Sequence, residues 1–212
     1  MIDLYTWATP NGRKVSIMLE ALGLPYQVHE IDITAGDQFQ ADFIAVSPNN
    51  KIPAIVDPRG PDGKPIRIFE SGAILIYLAE KYDRFLPREP RQKTEVMEWL
   101  MWQMGGFGPF LGQAHHFNFF AAVKIDYAVE RYNKEAQRLW QVLNDRLGQQ
   151  KDQGFDYVCE QLSIADFAIY PWATRYQRQN IEPKQFPHVH NWMTLMASQD
   201  FVQKGMAVPG EG

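Results

Sequence analysis

Cysteine is scarce in this sequence, and membrane-length apolar stretches and clusters of positive charge are lacking. It has one cysteine, Cys159, so no internal disulfide can form, and this fits a reducing cytoplasm. No apolar run approaches the ~18 residues of a membrane span. Residues 1–5 show neither the basic nor the apolar region of a signal peptide. We therefore expect a cytoplasmic protein that does not enter a membrane.

Basic residues are too dispersed for a protein whose main partner is nucleic acid. The formal net charge is -4 at pH 7 and no Lys- or Arg-rich stripe is present, whereas phosphate binding needs clustered cations. Repeats and low-complexity tracts are also lacking. What is there, 45% hydrophobic and 22% charged residues over 212 positions, is typical of a globular chain longer than one average domain.

The first 84 residues mix strand and helix patterns. Residues 2–5 alternate as a strand does, and apolar residues then recur at helical spacing up to Leu22, where Gly23 ends the pattern. A strand, a helix and a second strand in this order are typical of a parallel strand pair. The predicted elements are a strand at 2–5, a helix at 15–22, a strand at 26–32, a short helix at 38–45, strands at 52–56 and 66–69 that form a hairpin, and a helix at 71–82.

From residue 91 onward, helical periodicity replaces strand alternation. Residues 85–90 contain two prolines and are the predicted linker between a domain at 1–84 and an all-helical domain at 91–212. The glycine-rich residues 105–109 are predicted to interrupt the first helix of this domain. The predicted helices are at 94–104, 127–147, 164–176 and 189–198.

Three motifs carry a family resemblance: SPNNKIP at 47–53, FESGAILIYL at 69–78 and LSIADFA at 162–168. In this order they resemble the glutathione S-transferase superfamily over essentially the whole chain. Residues 9–12 (TPNG), 102–109 and 112–117 are similar to the bacterial Nu class, whose members act as glutathione-dependent disulfide-bond oxidoreductases. The resemblance implies an α/β thioredoxin-like N-terminal domain plus an all-α C-terminal domain. It also implies a homodimer that uses glutathione, as two molecules or as one glutathione disulfide per site.

The glutathione peptide is expected to bind where a strand passes into a helix at Glu70 and Ser71. Backbone N–H groups at a helix start and the Ser71 hydroxyl can receive the γ-glutamyl carboxylate, and Glu70 can pair with the ammonium. Ser71 could instead simply cap its helix. Ile52 precedes an expected cis-proline and would pair with the peptide as an added strand. The alternative there is a trans proline that starts an edge strand.

The resemblance implies that four further residues contact glutathione. Gln38 and Lys51 are candidates for the glycyl carboxylate, although either could be a solvated side chain. Arg131 would reach glutathione from the partner subunit, or could be a surface charge on its helix. Gln103 lies in the Nu-class segment 102–109.

The thiol of glutathione must be held as a thiolate to react. Lowering a pKa of ~8.5 by two units needs roughly 2.7 kcal/mol, and a helix N-terminus supplies at most about 2 kcal/mol. A direct hydrogen bond to sulfur is therefore needed as well. We expect it from the Thr9 hydroxyl and the Asn11 N–H groups, in the loop before the first helix, although both could only cap that helix. Tyr5 is the second choice of donor, and core packing accounts better for it.

No cysteine stands in the loop at 9–12, so a reductase of this kind would take its thiol from glutathione. The predicted substrates are small disulfides and, as a further option, peroxides. Two alternatives stay open: a conventional transferase that conjugates hydrophobic electrophiles, and a non-enzymatic glutathione-binding regulator. The phenylalanines that could line an electrophile site are Phe107, Phe110, Phe117, Phe119 and Phe120.

Three polar residues outside this site have simpler interpretations. His115 and His116 are adjacent, so they do not share a helix face, and no third ligand stands nearby; no metal is expected. Asp166 completes a capping-box pattern with Ser163 and is assigned to folding. Cys159 is expected to be a buried, inert thiol.

Overall fold

The computed structural model describes residues 1–210. The chain forms two compact units, one made of Met1–Arg84 with the chain from Gln199 onward, and the other of Phe85–Ser198. These limits differ from the predicted domains at 1–84 and 91–212. Phe85 packs edge-on against Phe167 at 4.9 Å, so the expected linker belongs to the helical unit. Residues 211 and 212 of the predicted second domain lie outside the described residues.

The first unit is a four-stranded sheet with helices. Its strand order is β2-β1-β3-β4, with β1 and β2 parallel and the other pairs antiparallel, so the predicted parallel pair and hairpin are confirmed. Its elements are β1 (Ile2–Thr6), α1 (Pro10–Leu22), β2 (Tyr26–Glu30), a 3-10 turn (Asp37–Phe39), α2 (Ala41–Ile44), β3 (Ala54–Asp57), β4 (Ile66–Phe69), α3 (Ser71–Tyr82) and, after the second unit, α9 (Asp200–Met206).

Helix α9 completes the first unit by packing on α1, which the sequence pattern did not predict. The Ser16 hydroxyl donates to the Gly205 carbonyl at 2.6 Å. A Cβ on Gly205 would lie 2.5 Å from the Ile17 Cα, so only glycine allows the two backbones this approach. The apolar stripe of α1 is buried, and the end of the chain thereby joins the unit that begins it.

The second unit is helical, as predicted, and the described residues contain no helix with the length and apolarity of a membrane span. Its helices are α4 (Pro90–Trp102), α5 (Gly108–His115), α6 (Asp126–Asp152), α7 (Ile164–Ala173) and α8 (Pro187–Ala197), with π-helical segments at Gln103–Phe107 and His116–Phe120 and 3-10 turns at Tyr176–Gln179 and Pro183–Gln185.

The glycine-rich residues 105–109 lie where the α-helix is interrupted, as predicted, but the backbone stays helical there. The backbone widens into a π-helical turn, in which the Gly108 N–H bonds to the Gln103 carbonyl, and then continues as α5. Pro109 falls in the first turn of α5, where a missing N–H is tolerated. A widened turn of this kind is frequent at functional sites, and it carries Gln103.

The start of α7 is closed by the predicted capping box, which is confirmed. Asp166 accepts hydrogen bonds from the Ser163 and Val158 backbone N–H groups, both at 3.0 Å. The Trp192 indole donates to the same carboxyl at 3.0 Å. Asp166 is fully buried, so these donors take the place of water, and the side chain ties α7 to α8 and to the preceding loop.

Candidate functional site

Four chain segments leave the sheet of the first unit at one edge. Strands β1 and β2 end side by side, because Thr6 is paired with Glu30. Strand β3 runs the other way and begins at this edge, with Ala54 opposite both Tyr5 and Phe69. Strand β4 ends at Phe69. The loops that carry the site residues predicted for this unit therefore emerge together, although those residues are far apart in sequence.

The site residues follow the order of the strands along this edge. Adjacent strands are ~4.8 Å apart, so four strands span roughly 14 Å, whereas an extended tripeptide reaches ~10 Å. The edge therefore has the length to hold an extended tripeptide across its loops. In the order of the strands, the predicted site residues are Gln38 after β2, Thr9 and Asn11 after β1, Lys51 and Ile52 before β3, and Glu70 and Ser71 after β4.

Thr9 caps α1 and still has a proton to donate. Its Oγ1 accepts a hydrogen bond from the Gly12 N–H at 3.3 Å. A hydroxyl has two acceptor positions and one hydrogen, so the capping bond leaves the O–H available to a sulfur anion. The two interpretations of Thr9 are thus compatible. The sequence had suggested that Asn11 lies in the loop before α1, but it lies in the first turn of that helix.

Gly12 fixes the path of the loop that carries Thr9. A Cβ at this position would lie 2.2 Å from the Thr6 Oγ1 and 2.6 Å from the Trp7 carbonyl oxygen. The first turn of α1 therefore sits directly against the end of β1, and a side chain at position 12 would push it away.

The loop before β3 presents Ile52. The peptide bond between Ile52 and Pro53 is cis, as predicted, and Ile52 lies just before the paired residues of β3. The Ser47 hydroxyl donates to the Lys51 carbonyl at 2.8 Å and stabilises this loop. The Lys51 side chain is exposed.

The start of α3 has an unusual backbone at Glu70. Glu70 is the N-cap residue with φ at 70°, in the left-handed region that a residue with a Cβ rarely adopts. Its side chain makes no capping bond to the described residues. Ser71 is the first helical residue and is 4% exposed, so the alternative in which Ser71 is the N-cap does not match the geometry. Strain of this kind clusters at ligand sites.

Sequence reasoning missed Lys14, which lies behind Ser71. Lys14 is 1% exposed, and its Nζ donates to the Ser71 Oγ at 3.5 Å. Burial lowers the pKa of the Lys14 ammonium to about 7, against the smaller raising effect of Glu70. The signal was available: Lys14 stands one turn before Met18, on the apolar face of the helix.

Gln38 and Tyr5 differ in what they offer a ligand. The Gln38 Nε2 donates to the Ile33 carbonyl at 3.3 Å, and its Oε1 is buried with no hydrogen-bond partner among the described residues. Tyr5 stacks on His29 with ring centroids 4.6 Å apart, and burial raises its pKa. A weaker acid is a poorer donor to a thiolate, so packing accounts for Tyr5.

Gln103 and Arg131 both belong to the second unit. Gln103 is buried in the π-helical turn. Arg131 is exposed on α6 and lines an open cavity of about 600 Å³. The other residues around that cavity are Phe110, Tyr127, Glu130, Lys134, Glu135 and Arg138.

Cys159 and the histidine pair play no visible chemical part. Cys159 is buried, and burial with nearby Asp166 raises the pKa of its thiol to about 12, so it is inert at neutral pH. The His115 Nε2 lies 3.3 Å from the Arg178 guanidinium. Burial and the surrounding cations lower the pKa of His115. Residues 1–210 contain no group of three or more His, Cys, Asp or Glu side chains placed to hold a metal ion.

One of the phenylalanines proposed for an electrophile site is unsuitable. Phe107 is completely buried and packs on Trp102 at 4.9 Å, because the π-helical turn directs it into the helical core. That expectation was wrong. Phe119 and Phe120 are 60% and 64% exposed, and Phe117 is stacked on Tyr132.

Comparison with known proteins points to one family. Residues 8–81 match the model of the glutathione S-transferase N-terminal domain, and residues 110–200 match that of its C-terminal domain. Disulfide-bond oxidoreductase YfcG of Escherichia coli (strain K12) is 50% identical over 200 residues, which cover 94% of this chain and 91% of that protein.

Solved structures agree with this over the whole chain. A glutathione transferase from Pseudomonas putida, with one glutathione disulfide bound per subunit, is 43% identical with a TM-score of 0.92, covering 99% of this chain and 92% of that one. A glutathione transferase family member from Pseudomonas fluorescens Pf-5, with two glutathione bound, is 42% identical with a TM-score of 0.91, covering 98% and 93%.

Proposed function

Since this chain belongs to the glutathione S-transferase family, we propose that it is a glutathione-dependent reductase of small disulfides, of the Nu class. The observation that carries the proposal is the Thr9 hydroxyl. It stands at the middle of a row of loops that suits an extended tripeptide, where a protein cysteine would otherwise be needed. The similarity to a disulfide-bond oxidoreductase, and to structures that hold glutathione disulfide or two glutathione molecules, supports it.

In the proposed complex, Thr9 and Asn11 hold the sulfur of glutathione as a thiolate. Ser71 and the first N–H groups of α3 bind the γ-glutamyl carboxylate, and Glu70 pairs with the ammonium. Ile52 pairs with the peptide backbone as an added strand. Gln38 and Lys51 face the glycyl end, and Gln103 stays a predicted contact of glutathione.

The reaction needs two glutathione molecules for each disulfide. The first thiolate attacks one sulfur of the substrate, so that a mixed disulfide forms and the substrate's other sulfur leaves as a thiolate and takes up a proton. The second glutathione attacks the glutathione sulfur of the mixed disulfide and releases the second thiol. Two glutathione thiols are oxidised to one glutathione disulfide, and one substrate disulfide is reduced to two thiols. Cys159 takes no part.

We further propose that the enzyme is a homodimer in which Arg131 reaches the glutathione bound to the partner subunit. Its exposure beside an open, partly basic cavity on α6 supports this role. The proposal places the protein in the cytoplasm, where the glutathione pool keeps thiols reduced.

The test is to measure reduction of a small model disulfide and conjugation of an aromatic halide by the wild type, Thr9→Ala and Thr9→Ser. A charge-assisted hydrogen bond is worth about 1.5–3 kcal/mol, so Thr9→Ala should slow disulfide reduction by about 10- to 150-fold. Thr9→Ser keeps the hydroxyl and should stay within about threefold of the wild type.

Each alternative has its own outcome. Strong conjugation with little disulfide reduction would establish a conventional transferase, for which the exposed Phe119 and Phe120 are available. Glutathione binding with neither activity would establish a regulator. Equal rates for the wild type and Thr9→Ala would remove the sulfur role from Thr9.

A further inference from the structure

A buried lysine stands directly behind the start of α3. The Lys14 Nζ lies 3.5 Å from the Ser71 Oγ, and the side chain is enclosed by the first unit. Among the charged groups near it, Glu70 acts on the ammonium and favours its charged form. On the other elements packed on α1, Lys81 of α3 is paired with Asp57, and Lys204 of α9 with Asp200.

We propose that Lys14 is a positioning residue for the γ-glutamyl carboxylate of glutathione, supplying a buried positive charge behind Ser71. The inference rests on the glutathione site proposed above. A carboxylate bound at Ser71 would approach this charge through the Ser71 hydroxyl, which can accept from Lys14 while it donates to the ligand. The ammonium would therefore strengthen and orient that hydrogen bond without contacting the substrate itself.

The protonation of Lys14 gives this role a measurable signature. Because burial lowers the pKa of Lys14 to about 7, roughly half of the ligand-free protein carries the charge at neutral pH. A carboxylate nearby favours the charged form and raises that pKa. Glutathione binding should then draw a proton from solvent onto Lys14, and affinity should fall as the pH rises above 7.

A lysine that only fills space in the core would behave differently. It would stabilise the loop and helix around it, but its protonation would not respond to the ligand. Proton uptake therefore separates a positioning role from a purely structural one, and it can be measured on the unmodified protein.

The experiment is calorimetric titration of the full chain with S-methylglutathione, which keeps both carboxylates but has no thiol to ionise. Titrations at pH 6, 7 and 8, each in two buffers with different heats of ionisation, give the affinity and the number of protons taken up. For the wild type we expect uptake of about half a proton per site at pH 7, and an affinity about 10-fold weaker at pH 8 than at pH 6.

Three variants sharpen the result. Lys14→Met should bind more weakly at pH 6 and lose the pH dependence that the wild type shows. Lys14→Arg keeps its charge at every pH and should also show no such dependence. Lys64→Met removes an exposed lysine of the same unit and should behave as the wild type. Titration of the ligand itself is common to all four proteins and cancels in the comparison.

Two outcomes would overturn the inference in distinguishable ways. Binding by the wild type with no proton uptake, and with the same pH dependence as Lys14→Met, would leave the glutathione site in place and remove Lys14 from it. No binding of S-methylglutathione at any pH would overturn the glutathione site and this inference together.

Discussion

Two helix starts in this protein have opposite characters. At the start of α7, Ser163 and Asp166 form a complete capping box, and the Asp166 carboxyl receives further N–H groups from Val158 and Trp192. At the start of α3, the Glu70 side chain makes no cap to the described residues, and the Glu70 backbone has a positive φ. Side chains of the chain itself cap the first of these helix starts, whereas no side-chain cap among the described residues closes the second.

The difference shows how one local feature serves either folding or binding. A helix N-terminus attracts negative charge in both cases. At α7 the chain supplies that charge through a buried carboxylate, and the junction stabilises the helical unit. At α3 the Glu70 side chain makes no capping bond to the described residues, the buried Lys14 donates to the Ser71 hydroxyl, and the Glu70 backbone has a positive φ. In the proposed complex, this is where the γ-glutamyl carboxylate of glutathione binds.

The largest effect is expected at the start of α7. Asp166→Ala leaves the buried N–H groups of Val158, Ser163 and Trp192 without an acceptor, which should lower the free energy of unfolding by about 3–5 kcal/mol. Urea denaturation measures this, with Asp156→Ala, an exposed carboxylate, as the control at about 0.5 kcal/mol or less. Similar losses in the two variants would contradict the structural role of Asp166.

At the start of α3, Glu70→Gly should weaken glutathione binding without lowering the stability of the fold. Glycine adopts a positive φ without cost, so the free energy of unfolding should stay the same or rise by up to about 1 kcal/mol. The lost pairing with the ammonium, about 1.5–3 kcal/mol, should weaken glutathione binding by roughly 10- to 150-fold. Calorimetry and urea denaturation on the same samples test both halves, and a destabilised variant that binds normally would reverse the comparison.

The buried lysine at the start of α3 also predicts a pH effect. The pKa of Lys14 is lowered to about 7 from 10.5 in the folded chain, so above pH 7 the unfolded chain binds more protons than the folded one. Stability should therefore rise with pH from 7 to 9, by at most about 1.4 kcal/mol per pH unit. Subtracting the same curve for Lys14→Met isolates this contribution. Parallel curves for the two proteins would show that Lys14 keeps an ordinary pKa.

The smallest effect is expected at Thr9, whose cap on α1 is a single bond. Thr9→Ala should cost about 1 kcal/mol of stability, and Thr9→Ser should restore most of it. Thermal unfolding measures both. A loss of several kcal/mol in Thr9→Ala would mean that α1 begins with a closed cap like that of α7, and it would undermine the use of this variant to test sulfur binding.

Much of this arrangement was predictable from sequence, for physical reasons. The strand alternation at Ile2 to Tyr5 and the apolar stripe of α3 depend on local periodicity, and both elements were found with correct limits or nearly so. The capping box at Ser163 also depends on a short motif, whereas the cis-proline at Pro53 was expected from the family resemblance. Patterns confined to a few neighbouring residues are those that a sequence shows directly.

The features that escaped prediction depend on distant partners. Lys14 was overlooked because its neighbour Ser71 lies 57 positions away, and a lysine in a helix is usually exposed. The form of the interruption at 105–109 was not predicted, because glycine and proline normally end a helix, whereas a π-helical turn accommodates them here. The roles of Gln103 and Arg131 depend on a bound peptide and a partner subunit, so they stay predictions.

The packing of α9 on α1 bears on the order in which the protein can assemble during synthesis. The bond between Ser16 and Gly205 joins residues 189 positions apart, and contacts so distant in sequence form late. When residues 1–84 have left the ribosome, α1 still lacks the helix that covers it, and the whole second unit must be translated before that helix arrives. The side of α1 that α9 covers is thus exposed on the nascent chain throughout that interval, and a transcript cut short before residue 200 would yield a protein that keeps it exposed.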